Sequence, residues 1–399
     1  MNHIANTLWN AVQAIIGFNL IFPLLLLFIA TLVRKKKPAR QPGKEADYAI
    51  IVTAYLYTDS LHSVVSSILK LNYSNYLIYI VADNCDISNL HFESDKVVLL
   101  RPETVLASNT RSHFYAIRNF RRAHERLTII DSDNLVEPEY LNNLNTYFDQ
   151  GFEAVQGIRE AKNLDTTYAR LDGARDIYYH YYDGKQLFDA GSSATLAGSG
   201  MAFTVALYRE CLEQKDIVGA GFDKILQSEI VKRNKRIAFV PDAIVFDEKT
   251  SRSDQLVNQR ARWINTWFKY FRFGFTLIFK GIANFSWNQI LFGIVLLRPP
   301  LFIFLILGMM MMFVNLFINP MVAALWAAGF IAFVTGFVIS LKRSHTDPRI
   351  YTSLAGIPKF VFFQLISLAN IFRANKRSVS TQHFHTETEI EKTLQEQKV

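Results

Sequence analysis

Apolar residues are spread unevenly along the chain: long, nearly uncharged blocks lie toward both ends, and between them short apolar runs alternate with amphipathic stretches. Asn10 to Val33 contains AIIGFNLIFPLLLLFIATLV, enough to cross a hydrocarbon core that needs about 20 residues. It is too long for a removed signal peptide, lacks a small-residue cleavage site, and runs directly into Arg34-Lys35-Lys36-Lys37. The pattern predicts an uncleaved anchor with the following chain in the cytoplasm.

After a Pro- and Gly-containing linker at Lys37 to Glu45, strands are predicted at Tyr48 to Thr53, Tyr76 to Ala82, Val97 to Leu100, Leu127 to Asn134 and Glu153 to Ile158. Helical spacing intervenes at Asp59 to Leu71, Ser112 to Ala123 and a Tyr-rich stretch around Leu171 to Phe188. Ile230 to Val240 leads into a further strand, ended by Pro241-Asp242. Such alternation predicts an α/β domain with a mainly parallel sheet and ligands at the C-terminal strand ends.

From Ile264 onward aromatic residues interleave with Lys269, Arg272 and Lys280, the pattern of a helix lying in the headgroup plane. Arg298-Pro299-Pro300 interrupts the next apolar run. Leu301 to Phe317 and Met321 to Leu341 then read as two spanning helices, and Lys342-Arg343 returns the chain to the cytoplasm. Ile357 to Phe372 carries Lys359 and Gln364 and reads as interfacial or re-entrant. The expected divisions are 1–34 (anchor), 35–263 (cytoplasmic α/β domain), 264–297 (interfacial helices), 298–342 (two transmembrane helices), 343–374 (interfacial or re-entrant) and 375–399 (polar cytoplasmic tail).

The net charge of +8 does not call for nucleic acid, because Arg34 to Arg40 alone holds five basic residues where they would meet anionic membrane lipid. Cys85 and Cys211 lack metal-site spacing and fit a reducing compartment.

The candidate chemistry centres on LTIIDSDN. In extended chain the side chains of Asp131 and Asp133 share one side, and two adjacent carboxylates suit Mg²⁺, which is held by one or two carboxylates plus substrate phosphates. A turn with solvated carboxylates is the plainer reading. Ala54, Tyr55 and Asp83 end the neighbouring strands on the same edge. On a helix, Gln259, Arg262 and Trp263 share a face, offering an amide, a guanidinium fork for diphosphate and an indole for a sugar ring. An amphipathic docking helix accounts for the same spacing. DIYYHYYD at Asp176 to Asp183 reads either as an acceptor path or as a buried helix face, and HFHTE at His383 to Glu387 as a gating segment or plain tail.

VTAY at Val52 to Tyr55, VADNCD at Val81 to Asp86, IIDSD at Ile129 to Asp133, VQG at Val155 to Gly157, GSGMAF at Gly198 to Phe203, RIAFVPDAIVFDE at Arg236 to Glu248 and QRARW at Gln259 to Trp263 stand in order. Together they resemble the membrane-anchored family 2 glycosyltransferases, which include cellulose, hyaluronan and poly-N-acetylglucosamine synthases. The resemblance covers Tyr48 to Lys280. It implies a GT-A fold, Rossmann-like with a mainly parallel sheet, and a nucleoside-diphosphate sugar donor, most often UDP-linked. It also implies Ala54, Tyr55 and Asp83 in the nucleotide pocket, and Asp131 and Asp133 on Mg²⁺ or Mn²⁺, with Asp133 the more direct ligand. Gln259, Arg262 and Trp263 become the diphosphate and acceptor platform, and Gly198 and Gly200 allow close approach of the acceptor.

The family inverts the anomeric centre with an Asp as base, which falls on Asp223 of GAGFDK; the Glu that normally precedes it is Phe222 here. Arg111-Ser112 stands where a Lys-Ser pair is common, which puts Arg111 beside the donor, and Asp59 is the nearest carboxylate after the first motif. The implied activity is extension of a polysaccharide at the cytoplasmic face of an inner or plasma membrane, with possible secretion and a homo-oligomer or synthase-complex partner. Two rivals follow: single addition to a lipid-linked acceptor, as in ceramide glucosyltransferases, and a non-catalytic nucleotide-sugar-binding subunit.

Overall fold

The computed structural model describes residues 3–33 and 45–370. The basic cluster and linker after the first helix and the polar tail, with its HFHTE stretch, lie outside the described residues.

Eight strands form one sheet: β1 (Tyr48–Tyr55), β2 (Tyr76–Asp83), β3 (Val97–Leu100), β4 (Arg126–Asp131), β5 (Leu135–Val136), β6 (Ala154–Ala161), β7 (Met201–Thr204) and β8 (Ile237–Asp247). Their order is β3-β2-β1-β4-β7-β6-β8-β5. The pairs β3-β2, β2-β1, β1-β4 and β6-β8 are parallel; β7 runs antiparallel to both neighbours, and β5 to β8.

Strand alternation divides the core between the sheet's two faces. Ile50, Val52 and Ala54 join Val64, Ile68, Leu141 and Leu144 on one face, beneath helices Leu61–Leu69 and Tyr140–Phe148. Ala49 and Ile51 join Phe114, Leu207 and Ile230 on the other, beneath helices Asn109–Arg118, Val205–Leu212 and Phe222–Lys232. With both faces covered, strands such as YAIIVTAY are apolar almost throughout.

Two expectations are corrected. The last long strand does not stop at Pro241-Asp242 but continues to Asp247: the pairing with β6 breaks after Gln156↔Phe239 and resumes at Ile158↔Ile244. The proline sits in that irregularity, where a missing N–H costs no ladder bond. The Tyr-rich stretch is not one α-helix either. Helix Thr167–Tyr179 passes into a π-helical turn at His180–Gln186, where a Cβ on Gly184 would lie 2.6 Å from the Phe239 ring.

Four helices are long and apolar enough to cross a membrane: His3–Val33, Leu301–Ile318, Pro320–Lys342 and Pro348–Ala369. Ile357 to Phe372, read as interfacial, thus overlaps a fourth candidate span. Shorter apolar helices Phe273–Ala283 and Trp287–Leu297 precede the Pro299-Pro300 break. Tyr178, Tyr181 and Tyr182 bury against Leu26, Phe304 and Phe333, and Tyr182 Oη donates to Gly336 O at 2.8 Å. These tyrosines weld the α/β domain to the apolar helices. Within the helices, Gln13 Oε1 accepts from Asn315 Nδ2 at 2.6 Å and from Trp326 Nε1 at 3.0 Å, a buried polar pin between three of the candidate spans.

Candidate active site

Parallel register brings the predicted strand ends together. Tyr55 pairs with Asp83 across β1-β2, and Thr53 with Asp131 across β1-β4, so three strands deliver their termini to one edge. Ala54, Tyr55, Asp83, Asp131 and Asp133 all line a cavity of about 1820 Å³.

Individual residues differ in what they offer. Asp83 is 2% exposed, and its two carboxylate oxygens accept the backbone N–H groups of Leu106 (2.9 Å) and Ala107 (2.8 Å), so it folds that loop over the strand ends. Arg111 is not brought to the cavity: its guanidinium forms a two-pronged pair with exposed Asp216 at 2.7 and 2.6 Å, and Ser108, Asn109 and Ser112 line the wall instead. Ser108 N-caps that helix by accepting from Arg111 N, which directs the arginine outward along it.

Asp131 and Asp133 are held through their backbones. Asp131 N donates to Ser199 Oγ at 3.1 Å, and buried Lys162 donates from Nζ to Asp133 O at 3.1 Å. Ser199 is itself placed by Gln156, which is 1% exposed: its amide donates to the carbonyls of Gly157, Ser199 and Gly200 and accepts from Ala197 N. Gly198, at φ +89°, lines the cavity with open space beside it. Gly200, at φ +65°, packs instead on Val245, 2.9 Å from where a Cβ would stand.

The residues fit a divalent metal bound in the manner of a metal-diphosphate. Two carboxylates come to the strand end, and the described residues contain no group of three His, Cys, Asp or Glu able to cage an ion alone. Substrate phosphates would complete such a coordination shell.

Helix Ser253–Tyr270 presents Gln259, Arg262 and Trp263 to the cavity, as its periodicity predicts. Burial lowers the Arg262 pKa, and the Asp131 charge opposes that shift. Trp263 offers less open ring than expected, because Arg175 and Arg260 each lie 4.3 Å from its centroid. Asp223 lines the cavity in the first turn of helix Phe222–Lys232, after Gly221 at φ +98°, with Lys224 Nζ 3.0 Å from its carboxylate. Phe222 is a core residue against the His113 ring, 5.2 Å between centroids, so the apolar replacement is absorbed by packing.

One buried network escaped the sequence reading. Asp172 takes Arg175 and Arg260; Asp176 takes Arg159, Arg175 and Lys249; Asp247 takes Arg159 and Lys249. Burial would raise the Asp176 pKa, but Lys249, Arg175 and Arg159 together hold it well below the usual range. The signal was present as the Asp172, Arg175, Asp176 spacing on one helix face, hidden beside the tyrosines.

Below this polar region the cavity continues between the apolar helices, where Met309, Val334 and Leu365 line it. These residues are 56%, 56% and 41% exposed and stand on three of the helices apolar enough to cross a membrane.

Among solved structures, the mannosyltransferase PcManGT from Pyrobaculum calidifontis, in complex with GDP-Man and Mn²⁺, matches with a TM-score of 0.58 at 14% identity. The match covers 90% of this chain and 98% of that one. At that identity the likeness is one of fold, and it is the GT-A fold. No curated protein matches the chain by sequence. The profile described as glycosyltransferase like family 2 matches residues 45–266, from the first strand through the Gln259, Arg262 and Trp263 face. A match over more than half of the chain, on the strands and helix that build this cavity, decides its kinship: the chain belongs to the family 2 glycosyltransferases and is a hexosyltransferase.

Proposed function

We propose that the protein transfers a hexosyl group, with inversion, from a nucleoside-diphosphate sugar to the hydroxyl of a lipid-borne acceptor drawn from the membrane. The carrying observation is the continuity of the cavity: one space joins Asp131, Asp133 and Asp223 to an apolar lining at Met309, Val334 and Leu365 on the candidate membrane helices. A hydrated polymer gains little from such a lining, whereas a lipid chain buries there at about 25 cal/mol per Å². This favours the lipid acceptor over the polysaccharide first implied by resemblance. The basic residues after the first helix and at Lys342-Arg343 support a cytoplasmic catalytic domain at an inner or plasma membrane.

In this reading Asp223 takes the proton from the acceptor hydroxyl as its oxygen bonds to the anomeric carbon. The bond from that carbon to the donor phosphate breaks, and the nucleoside diphosphate leaves with the electron pair. Asp131 and Asp133 would hold Mg²⁺ or Mn²⁺, which would supply charge neutralisation to the diphosphate, and Arg262 would add its guanidinium. Gln259, Trp263 and the Gly198 backbone border the acceptor, while Ala54 and Tyr55 border the nucleotide. The neighbour's GDP-Man widens the choice of donor beyond UDP-sugars.

The test is transfer by the full chain in membranes, using UDP- and GDP-hexoses with Mn²⁺ or Mg²⁺, followed by extraction and sizing of product. A short, organic-extractable product that Asp223→Asn abolishes is the expected result. Water-soluble, polysaccharide-sized product would return the reading to a synthase. Donor binding without turnover would make the chain a non-catalytic subunit.

A further inference from the structure

We propose that Lys224 is a positioning residue for the base: its ammonium, moored on the Leu196 carbonyl, holds the Asp223 carboxylate in place beside the segment that leads to Gly198. The inference rests on the reading of Asp223 as base and adds the residue through which that base is held.

Lys224 Nζ lies 3.0 Å from the Asp223 carboxylate and donates to Leu196 O at 2.9 Å. Consecutive residues on a helix do not ordinarily face each other, so the contact needs the lysine to be turned, and the carbonyl bond fixes that turn. Both residues line the cavity, and neither side chain is sealed from it: 16% of Asp223 and 36% of Lys224 is accessible. The carboxylate of an aspartate has a broad choice of orientation about its last torsion, which a charge-assisted bond of this length narrows. Phe222, on the other side in sequence, is buried and brings no polar group to the task. Among the described residues no other side chain pairs with the Asp223 carboxylate.

Leu196 is gripped twice by the same helix. Its carbonyl accepts from Lys224, and its N–H donates to Gln227 Oε1 at 2.9 Å, the two side chains standing one turn apart on helix Phe222–Lys232. The next residue, Ala197, donates its N–H to Gln156 Oε1 at 2.9 Å, and Gly198 after it lines the cavity. The base and the glycine that borders the acceptor in the proposed reading are therefore both referenced to Leu196, which is itself buried. Gln227 holds the chain alone, whereas Lys224 holds the chain and the carboxylate. That difference separates positioning of the base from plain anchoring of the segment.

The experiment measures transfer by the full chain in membranes, with radiolabelled UDP- and GDP-hexoses and Mn²⁺, as kcat and donor KM per mole of enzyme. Lys224→Met should lower kcat by about 10- to 100-fold while donor KM changes by less than about threefold. Gln227→Met should lower the thermal midpoint at least as far as Lys224→Met does, yet cost less kcat. A Lys224→Met variant with wild-type kcat, a loss confined to KM, or an equal kcat loss in Gln227→Met overturns the inference and leaves Asp223 as base. Absence of transfer by the wild type, or full transfer by Asp223→Asn, overturns the base reading and the inference with it. Should Lys224→Met fail to fold, Lys224→Gln, which keeps a donor for the Leu196 carbonyl but not the charge, decides by the same criteria.

Discussion

Lys162 and Asp133 are joined by a hydrogen bond from the buried ammonium to a backbone carbonyl, 3.1 Å long, which ties the end of β6 to the turn after β4. Lys162 is 2% exposed and also lies 4.0 Å from Glu248. It does not line the cavity, and in the proposed reading it acts by positioning Asp133. Lys162→Met should therefore raise the Mn²⁺ concentration needed for half-maximal transfer by about 10- to 100-fold, with a smaller loss of kcat at saturating metal. Stability should fall by about 1–3 kcal/mol as the carbonyl loses its partner. A metal titration of transfer checks this; equal loss at every Mn²⁺ concentration would assign Lys162 a purely structural role.

Arg262 faces the charge of Asp131 across the cavity, and its value lies in geometry as well as charge. Arg262→Lys keeps the charge and removes the fork. Transfer efficiency, kcat/KM for donor, should drop by about 10- to 100-fold, the worth of one charge-assisted hydrogen bond lost in a dry site. If the fork acts on the departing diphosphate, the loss appears in kcat with donor KM nearly unchanged. A loss confined to KM would mean that Arg262 holds donor and leaving group alike.

Two glycines beside the site separate packing from function. A Cβ on Gly157 would stand 2.3 Å from Ala243 O and 3.1 Å from Gly200 O, both backbone atoms that cannot swing aside. Gly157→Ala should cost several kcal/mol, on the order of 3, and lower expression and thermal midpoint together. Gly198→Ala meets nothing within 4 Å and pays only for φ +89°, about 1–2 kcal/mol. Because Gly198 lines the cavity, its variant should stay folded yet raise the acceptor KM. Similar melting losses in both would remove that distinction.

The strand-end constellation was legible because it depends on local rules. An apolar run ending in Asp-x-Asp, repeated on neighbouring parallel strands, fixes a shared edge without knowledge of the tertiary fold, and the register of Tyr55 with Asp83 and Thr53 with Asp131 followed. The face of Gln259, Arg262 and Trp263 was legible from helical period alone. What stayed hidden depends on contacts far apart in sequence. The pairing of Arg260 with Asp172 joins residues 88 positions apart, and Trp263 reads as an open platform until Arg175 and Arg260 reach its ring. Arg111 was placed at the donor by motif position, whereas Asp216, distant in sequence, holds it outside. Pro241 reads as a strand end because the irregularity that accommodates it belongs to the pairing with β6.

Acid sensitivity should follow from buried imidazoles whose pKa burial lowers, His113, His180 and His124. His113 Nδ1 lies 2.7 Å from Tyr208 Oη while Nε2 has no partner, and burial pushes its pKa down to about 3. His180, in the π-helical turn, is pushed down to about 4 by burial, against the pull of Asp176. In the unfolded chain all three would titrate near their ordinary value of about 6.5. Below that value the unfolded state binds protons that the folded state refuses, so folding stability is complete above about pH 6.5 and declines as the pH falls toward 4 and then 3. Each histidine contributes a slope approaching about 1.4 kcal/mol per pH unit within its window. The thermal midpoint in detergent should therefore fall between about pH 7 and 5, before the carboxylates of the Asp176 network begin to protonate. His113→Leu should lower the midpoint at neutral pH by leaving Tyr208 Oη unpaired, yet flatten the acid slope. A parent profile that is level over this range, or a variant with the parent's slope, would show that these histidines are not the acid-labile groups.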